Sequence, residues 1–250
     1  MDDVYEADRS LKGKLRRRIA RIRARKPAGA PAGPMISFAF DDVPVSAATA
    51  GAEILERRGL RGSYYVAAGM AGGDSPMGRF VDAEDVARLA KAGHEIGCHT
   101  FSHLDCGRAG VPLVLDDVDR NRQALIALGL PAPTTFAYPY GEVATETKRA
   151  LGERFALMRA LHHGLVAEGS DLNQAPCVGV EGPNGEAAAR RWLARASGRR
   201  AWLILYTHDV AKTPSPWGCT PDALARLADA AVADGFEVVT LAEGARRLSA

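Results

Sequence analysis

The segment Met35-Ile36-Ser37-Phe38-Ala39-Phe40-Asp41-Asp42 decides how this chain is read. A short apolar run, entered from a Pro/Gly-rich stretch and closed by two acids, reads as a buried strand with a pair of carboxylates at its C-terminal end. Val43-Pro44 follows and stiffens the turn that leaves the strand. Farther on, a second strand-like run from His94 to His99 leads into His99-Thr100-Phe101-Ser102-His103, where two imidazoles lie four residues apart. One carboxylate and two imidazoles make a three-ligand protein site that leaves a divalent metal an open position. The spare carboxylate next door is placed to take a proton from water at that position. The pattern points to metal-assisted hydrolysis.

Outward from this stretch, strand and helix signals alternate. Ser46 caps a helix to about Arg58, Ser63 to Ala68 is a strand, and Asp82 starts a helix that Gly93 ends. After the His94 to His99 strand come a helix from Asp116 to Leu128, a strand from Thr134 to Tyr138, a helix from Thr145 to Leu151 and a strand from Phe155 to Ala160. The remaining elements are a helix from Glu186 to Ala196, a strand from Ala201 to Thr207, a helix from Pro221 to Asp234, a strand from Glu237 to Leu241 and a short terminal helix. Such alternation requires a parallel sheet with helices outside. Asp41 and Asp42, His99, the stretch Tyr138 to Gly141, and His208 all fall at C-terminal strand ends, the active-site rim of a β/α barrel. The competing architecture is a doubly wound open sheet; no Gly-x-Gly-x-x-Gly loop follows the first strand.

With 250 residues and 47% apolar content the chain can bury a full core, which excludes a disordered or coiled-coil protein. Residues 1 to 26 hold ten Lys/Arg and four Asp/Glu, so this region carries +6 of a net +2 and the remainder is slightly acidic. An acidic body argues against nucleic acid as a partner. The four cysteines form no Cys-x-x-Cys pair, and the opening Met-Asp-Asp lacks the apolar core of a signal peptide, so a cytoplasmic protein with reduced thiols is expected. Residues 1 to 34 read as a basic arm ending in a Pro/Gly linker, and 35 to 250 as the catalytic domain. Within 10–26, Leu11, Leu15, Ile19 and Ile22 make a narrow apolar stripe on a basic helix. That stripe suits peripheral contact with an anionic inner-membrane surface, or packing on the body or on a second subunit in a homodimer.

The chain resembles the polysaccharide deacetylases, carbohydrate esterase family 4 with the NodB homology domain, over about residues 35 to 245. The motifs that carry the resemblance are Phe40-Asp41-Asp42, His99 to His103, Phe136-Ala137-Tyr138-Pro139-Tyr140-Gly141 and Leu205-Tyr206-Thr207-His208-Asp209, in that order. It implies a distorted (β/α)7-type barrel. It further implies that Asp42, His99 and His103 hold the metal, with Zn2+ expected and Co2+ or Mn2+ able to replace it. Asp41 would activate water, His208 would protonate the leaving amine, and the backbone N–H of Tyr140 would stabilise the oxyanion. The implied substrate is an N-acetylated oligo- or polysaccharide, and the variants Phe-Ala-Tyr-Pro-Tyr-Gly and Thr-Phe-Ser-His look closest to deacetylases of adhesive or capsular polysaccharides. Trp217, after the His208 loop, and Tyr138 are expected at the substrate.

Two positions depart from the family pattern. Ala137 stands where many members carry the arginine that holds the catalytic aspartate, and Arg159, at the end of another strand, is expected to replace it. Val43 stands in place of glycine, so the loop after Asp42 is expected to take a different path. Two other readings accompany the deacetylase: a deformylase or amidase acting on another small amide, and a carbohydrate-binding relative without turnover.

Overall fold

The computed structural model describes residues 11–248. Ten strands and eight α-helices are present among the described residues: α1 (Leu11–Ile22), β1 (Met35–Asp41), α2 (Ala52–Glu56), β2 (Ser63–Val66), β3 (Asp74–Ser75), β4 (Gly78–Arg79), α3 (Ala83–Lys91), β5 (Glu95–Cys98), α4 (Val111–Ala127), β6 (Thr135–Ala137), α5 (Thr145–Gly152), β7 (Leu157–Arg159), β8 (Val178–Gly179), α6 (Gly185–Ala196), β9 (Trp202–Thr207), α7 (Pro221–Ala233), β10 (Glu237–Val238) and α8 (Leu241–Leu248). The main sheet is parallel throughout and runs β7-β6-β5-β2-β1-β9-β8, with β10 beside the first residues of β1. Residues 175–179 join its two ends: Ala175 bridges to Arg159 of β7, and β8 pairs with β9. The sheet thus curls into the distorted β/α barrel expected for the NodB homology fold.

Strand parity explains the layers. Ile36, Phe38 and Phe40 of β1 face outward and pack with Leu55, Leu224 and Leu227 of the surrounding helices. Met35 and Ala39 face inward with Tyr65, Ala137, Leu157, Trp202, Ile204 and Tyr206. Successive side chains of a strand alternate faces, so Asp41 falls on the inner face at the top of the barrel. Arg159, two residues after the inward Leu157, falls there too.

Local chemistry sets the element ends. Asp82 caps α3 by accepting from Glu84 and Asp85 N–H, and the Asp85 carboxylate accepts from Asp82 N–H in return. Pro221 stands at the start of α7, where its missing N–H costs nothing, and Thr220 caps the same end. The helix read from Asp116 begins five residues earlier at Val111, because Pro112 occupies its first turn. The two-residue β8 and the β3–β4 hairpin are too short for a periodic signal and were not among the sequence expectations.

Residues 23–34 lie flat against the body. Lys26 Nζ donates to the carbonyls of Gly152 and Phe155 at 2.8 and 2.7 Å, and Ala28 N–H to Ser170 O at 2.7 Å. Helix α1 sits against α5, with buried Gly13 and Ala20 turned inward. Arg16 and Arg17 pair with Glu142 at 3.4 and 3.1 Å, and Lys148 Nζ donates to Ala20 O at 2.6 Å.

Candidate metal and catalytic site

Six strand ends build the site. Asp41 and Asp42 close β1, His99 follows β5, Tyr138 to Gly141 follow β6, Arg159 ends β7, Glu181 follows β8, and His208 follows β9. Asp42 Oδ1 lies 3.4 Å from His99 Nε2 and 3.3 Å from His103 Nε2, and the three potential ligand atoms lie within 4.8 Å of one another. His99 Nδ1–H donates to the Ala137 carbonyl at 2.8 Å, so its Nε2 presents a lone pair toward Asp42. Burial and the neighbouring imidazoles push both His99 and His103 down to about 4, keeping them neutral. Asp42 Oδ1 is buried and has no hydrogen-bond partner. Two neutral imidazole nitrogens turned on an orphaned carboxylate oxygen would repel one another without a cation among them. The donor set therefore fits a divalent metal.

Asp41 is tied differently. Its Oδ1 accepts from Arg159 Nη2, and that guanidinium lies 5.2 and 5.0 Å from the ring centres of Tyr65 and Tyr206. Burial would raise the Asp41 carboxyl, but Arg159, with His99 and His208, holds it below the usual carboxylate range. Asp42, lacking such a partner, is raised by the same burial. The two adjacent acids thus have distinct environments. Arg159 reaches Asp41 because Ala137 is its register partner on β6. A methyl group at 137 leaves the inner layer open to the arginine of the neighbouring strand.

His208 stands on the other side of Asp42, with Nε2 3.9 Å from Asp42 Oδ2 and Nδ1 3.2 Å from Glu181 Oε1. Burial works against its charge, but Glu181 and the two aspartates raise it to about 9. Tyr206 OH donates to the other Glu181 oxygen at 3.0 Å and fixes that carboxylate. Glu181 was not among the sequence expectations; the signal available was an acid just past the apolar run Val178-Gly179-Val180 and before Gly182-Pro183. Asp117 was missed as well. Its carboxylate accepts from the N–H groups of Phe101 and Ser102 at 2.8 and 2.9 Å and from the Ser102 hydroxyl at 2.9 Å, which pins the loop between the two histidines to α4.

Backbone strain collects here. Asp42, Val43, Thr100, His103 and Tyr140 all have φ between 50° and 58°, and among the described residues only one other non-glycine, Ala24, has positive φ. Val43 thus adopts the left-handed conformation a glycine enters freely. Tyr140 packs its ring edge-on to His103, centroids 4.4 Å apart, and is 37% exposed at the rim. Trp217 is also at the surface, and its carbonyl accepts from His208 N–H at 3.2 Å. Tyr138, expected at the substrate, is instead buried: its hydroxyl donates to Asn173 O at 3.0 Å and its ring packs on Phe136. Its place below the rim makes it a support for the loop that carries Tyr140.

A family model described as Polysaccharide deacetylase matches residues 28–155, slightly more than half of the chain. No curated protein matches. Among solved structures, the chain is similar to the chitin deacetylase of Colletotrichum lindemuthianum (16% identity, TM-score 0.62, covering 86% of this chain and 89% of that one). It is also similar to a family 4 acetyl xylan esterase of Clostridium thermocellum in complex with a cobalt ion (20%, 0.59, 84% and 89%) and to the peptidoglycan deacetylase PdaC of Bacillus subtilis (19%, 0.58, 87% and 93%). At these identities the likeness establishes the fold, and the family model together with the Asp-His-His triad supplies the rest: the chain belongs to the polysaccharide deacetylase family, as a metal-dependent hydrolase of the carbohydrate esterase type.

Proposed function

We propose that the protein removes acetyl groups from the N-acetylated amino sugars of a bacterial exopolysaccharide or of its lipid-linked precursor. The observation that carries this reading is the pair of groups flanking the Asp42–His99–His103 triad: Asp41 paired with the Arg159 guanidinium, and His208 Nδ1 paired with the Glu181 carboxylate at 3.2 Å. A divalent metal in the triad would polarise the acyl oxygen and lower the pKa of water. Asp41 takes the proton of the attacking water, and its fixed geometry against Arg159 keeps it ionised and aimed. His208 gives a proton to the departing nitrogen. An amine leaves poorly unless protonated, so a group that carries its proton at neutral pH favours amide over ester cleavage. The peptide N–H of Tyr140 is the proposed donor to the oxyanion. Exposed Tyr140, Leu161 and Trp217 offer apolar faces at the rim for a sugar ring, and Leu161 packs on Gly141 beside Tyr140. The Phe-Ala-Tyr-Pro-Tyr-Gly and Thr-Phe-Ser-His variants support an exopolysaccharide within the acetylated-glycan class.

Acetate release from N-acetylglucosamine oligomers, measured with and without chelator, tests the reading. Asp41→Asn should retain metal by elemental analysis and lose ~10²-fold or more of the rate. Release of formate from N-formyl substrates in preference to acetate would replace the deacetylase by a deformylase.

A further inference from the structure

Helix α1 is amphipathic in an unusual sense: it docks on the body through its small residues and leaves its apolar residues outside. Gly13 and Ala20 are buried against the body, whereas Leu15, Ile19 and Ile22 are 57%, 39% and 66% exposed. The expected basic stretch 10–26 begins outside the described residues at Ser10, and the Leu11 side chain also lies outside them. Lys14, Arg18 and Arg23 are exposed beside the apolar residues, whereas Arg21 and Arg25 turn toward the body, Arg25 donating to Gly169 O at 2.6 Å; no Asp or Glu occurs between Leu11 and Lys26. Three aliphatic side chains in water are costly, and their placement serves an occupant that buries them while meeting the cations beside them.

We propose that this face of α1 docks on an anionic lipid bilayer. An interfacial helix sinks its apolar face to the headgroup boundary and extends Lys and Arg side chains along it to lipid phosphates. Charge decides between the bilayer and a second copy of the chain. A symmetric pair of α1 helices would set Lys14, Arg18 and Arg23 against their own counterparts with no acid in the segment to neutralise them. An anionic surface complements every one of them.

The helix is also tied to the catalytic rim. Arg16 and Arg17 grip Glu142, which directly follows Pro139-Tyr140-Gly141. A bilayer-docked α1 therefore brings the mouth of the barrel close to the membrane, where a lipid-linked glycan is presented. That last step rests on the deacetylase reading above; the docking itself does not.

The test is co-sedimentation of the full chain with vesicles, read without any reference to turnover. Vesicles of phosphatidylcholine containing phosphatidylglycerol should pull down the protein, pure phosphatidylcholine should not, and added salt should weaken the binding because the contact is partly electrostatic. Leu15→Asp with Ile19→Asp, and separately Lys14→Glu with Arg18→Glu, should each weaken binding at least tenfold, while circular dichroism melting and metal content stay at wild-type values because none of the four side chains packs inward. No binding by the wild type, or equal binding by wild type and both variants, overturns the proposal. So does a concentration-dependent dimer, seen by analytical ultracentrifugation, that the Leu15/Ile19 pair of substitutions dissociates; that result would assign the face to a second copy.

Discussion

At the scale of single residues, the site rests on a relocated arginine. Ala137 and Arg159 are register partners on β6 and β7, so a guanidinium from either position points into the same inner layer as Asp41. Arg159→Ala should remove the counter-charge of a buried carboxylate, cost about 3–5 kcal/mol of stability, and reduce acetate release by ~10²-fold or more. The combined variant Arg159→Ala/Ala137→Arg should recover a substantial part of both losses, measured by urea denaturation and by rate. A double variant no better than Arg159→Ala would show that the arginine acts only from β7. This substitution was legible because the family resemblance marks position 137 as the place of an arginine, and Arg159 lies near the end of another expected strand; that both side chains point inward is shown only by the register of β6 and β7. The role expected for Tyr138 was not legible. A tyrosine beside Pro139-Tyr140-Gly141 carries no mark of which way it points, and only the packing on Phe136 and the bond to Asn173 show that it lies below the rim.

At the scale of elements, the ligand-bearing loop after β5 depends on α4. Asp117 alone satisfies two backbone N–H groups and a hydroxyl in a loop with left-handed residues at Thr100 and His103. Asp117→Ala leaves those donors unpaired and should weaken metal affinity about 10–100-fold, read by competition against a chelator; unchanged affinity would mean that the loop holds its shape without α4. Asp117 was invisible in the sequence and Glu181 marked only by its place after a short apolar run: each is one acid in no motif, and only the curling of the sheet and the register of α4 bring them to the site. The strands and most helices were legible because apolar runs and caps coincide, as at Asp82 and Pro221. A second element contact is pH-dependent. His94 Nδ1 accepts from Gly62 N–H at 3.0 Å, so its proton is on Nε2, facing Glu56 Oε1 at 3.0 Å. Burial holds His94 below its ordinary 6.5, with Glu56 opposing. The unfolded chain then binds the proton first, so the contribution of His94 is complete above an unfolded pKa of about 6.5 and is lost as pH falls below it. The stability advantage of wild type over His94→Gln should shrink between about pH 7.5 and 5.5. Comparing urea midpoints cancels the other histidines, which both proteins share, and an advantage that stays flat or grows would refute the assignment.

At the scale of the whole molecule, composition divides the chain into a basic arm and a neutral-to-acidic body, while the hydrogen bonds unite them. A Pro/Gly-rich stretch reads as a linker because those residues lack strong secondary-structure preference, but the same lack lets them lie along a surface wherever partners exist. Here the partners are many. Lys26 caps the end of α5 through Gly152 and Phe155, its N–H donates to Asp171 Oδ1 at 2.9 Å, and Leu172 N–H returns to Lys26 O at 2.7 Å. Asp171 in turn holds the buried Lys148, whose ammonium also donates to Ala20 O. Gly29 N–H reaches Leu248 O at 2.8 Å and so ties the strap to the last helix. Deleting residues 1–34 should therefore act on the body as well as on any membrane contact. It removes Ala20 O from Lys148, leaving a buried ammonium with one partner fewer, and exposes Glu142 next to the rim. Charged hydrogen bonds of this kind are worth about 1.5–3 kcal/mol each, and a chain of this size shifts by roughly 2–4 °C per kcal/mol. A drop of about 6–12 °C in Tm is expected, together with reduced turnover on a soluble oligosaccharide, because the loop from Tyr138 to Glu142 loses its clamp. Deleting only residues 1–22 should spare Lys26 and the strap, and so produce a smaller loss. Equal melting temperatures for the full chain and the 1–34 deletion would show that the strap contributes nothing to the stability of the barrel.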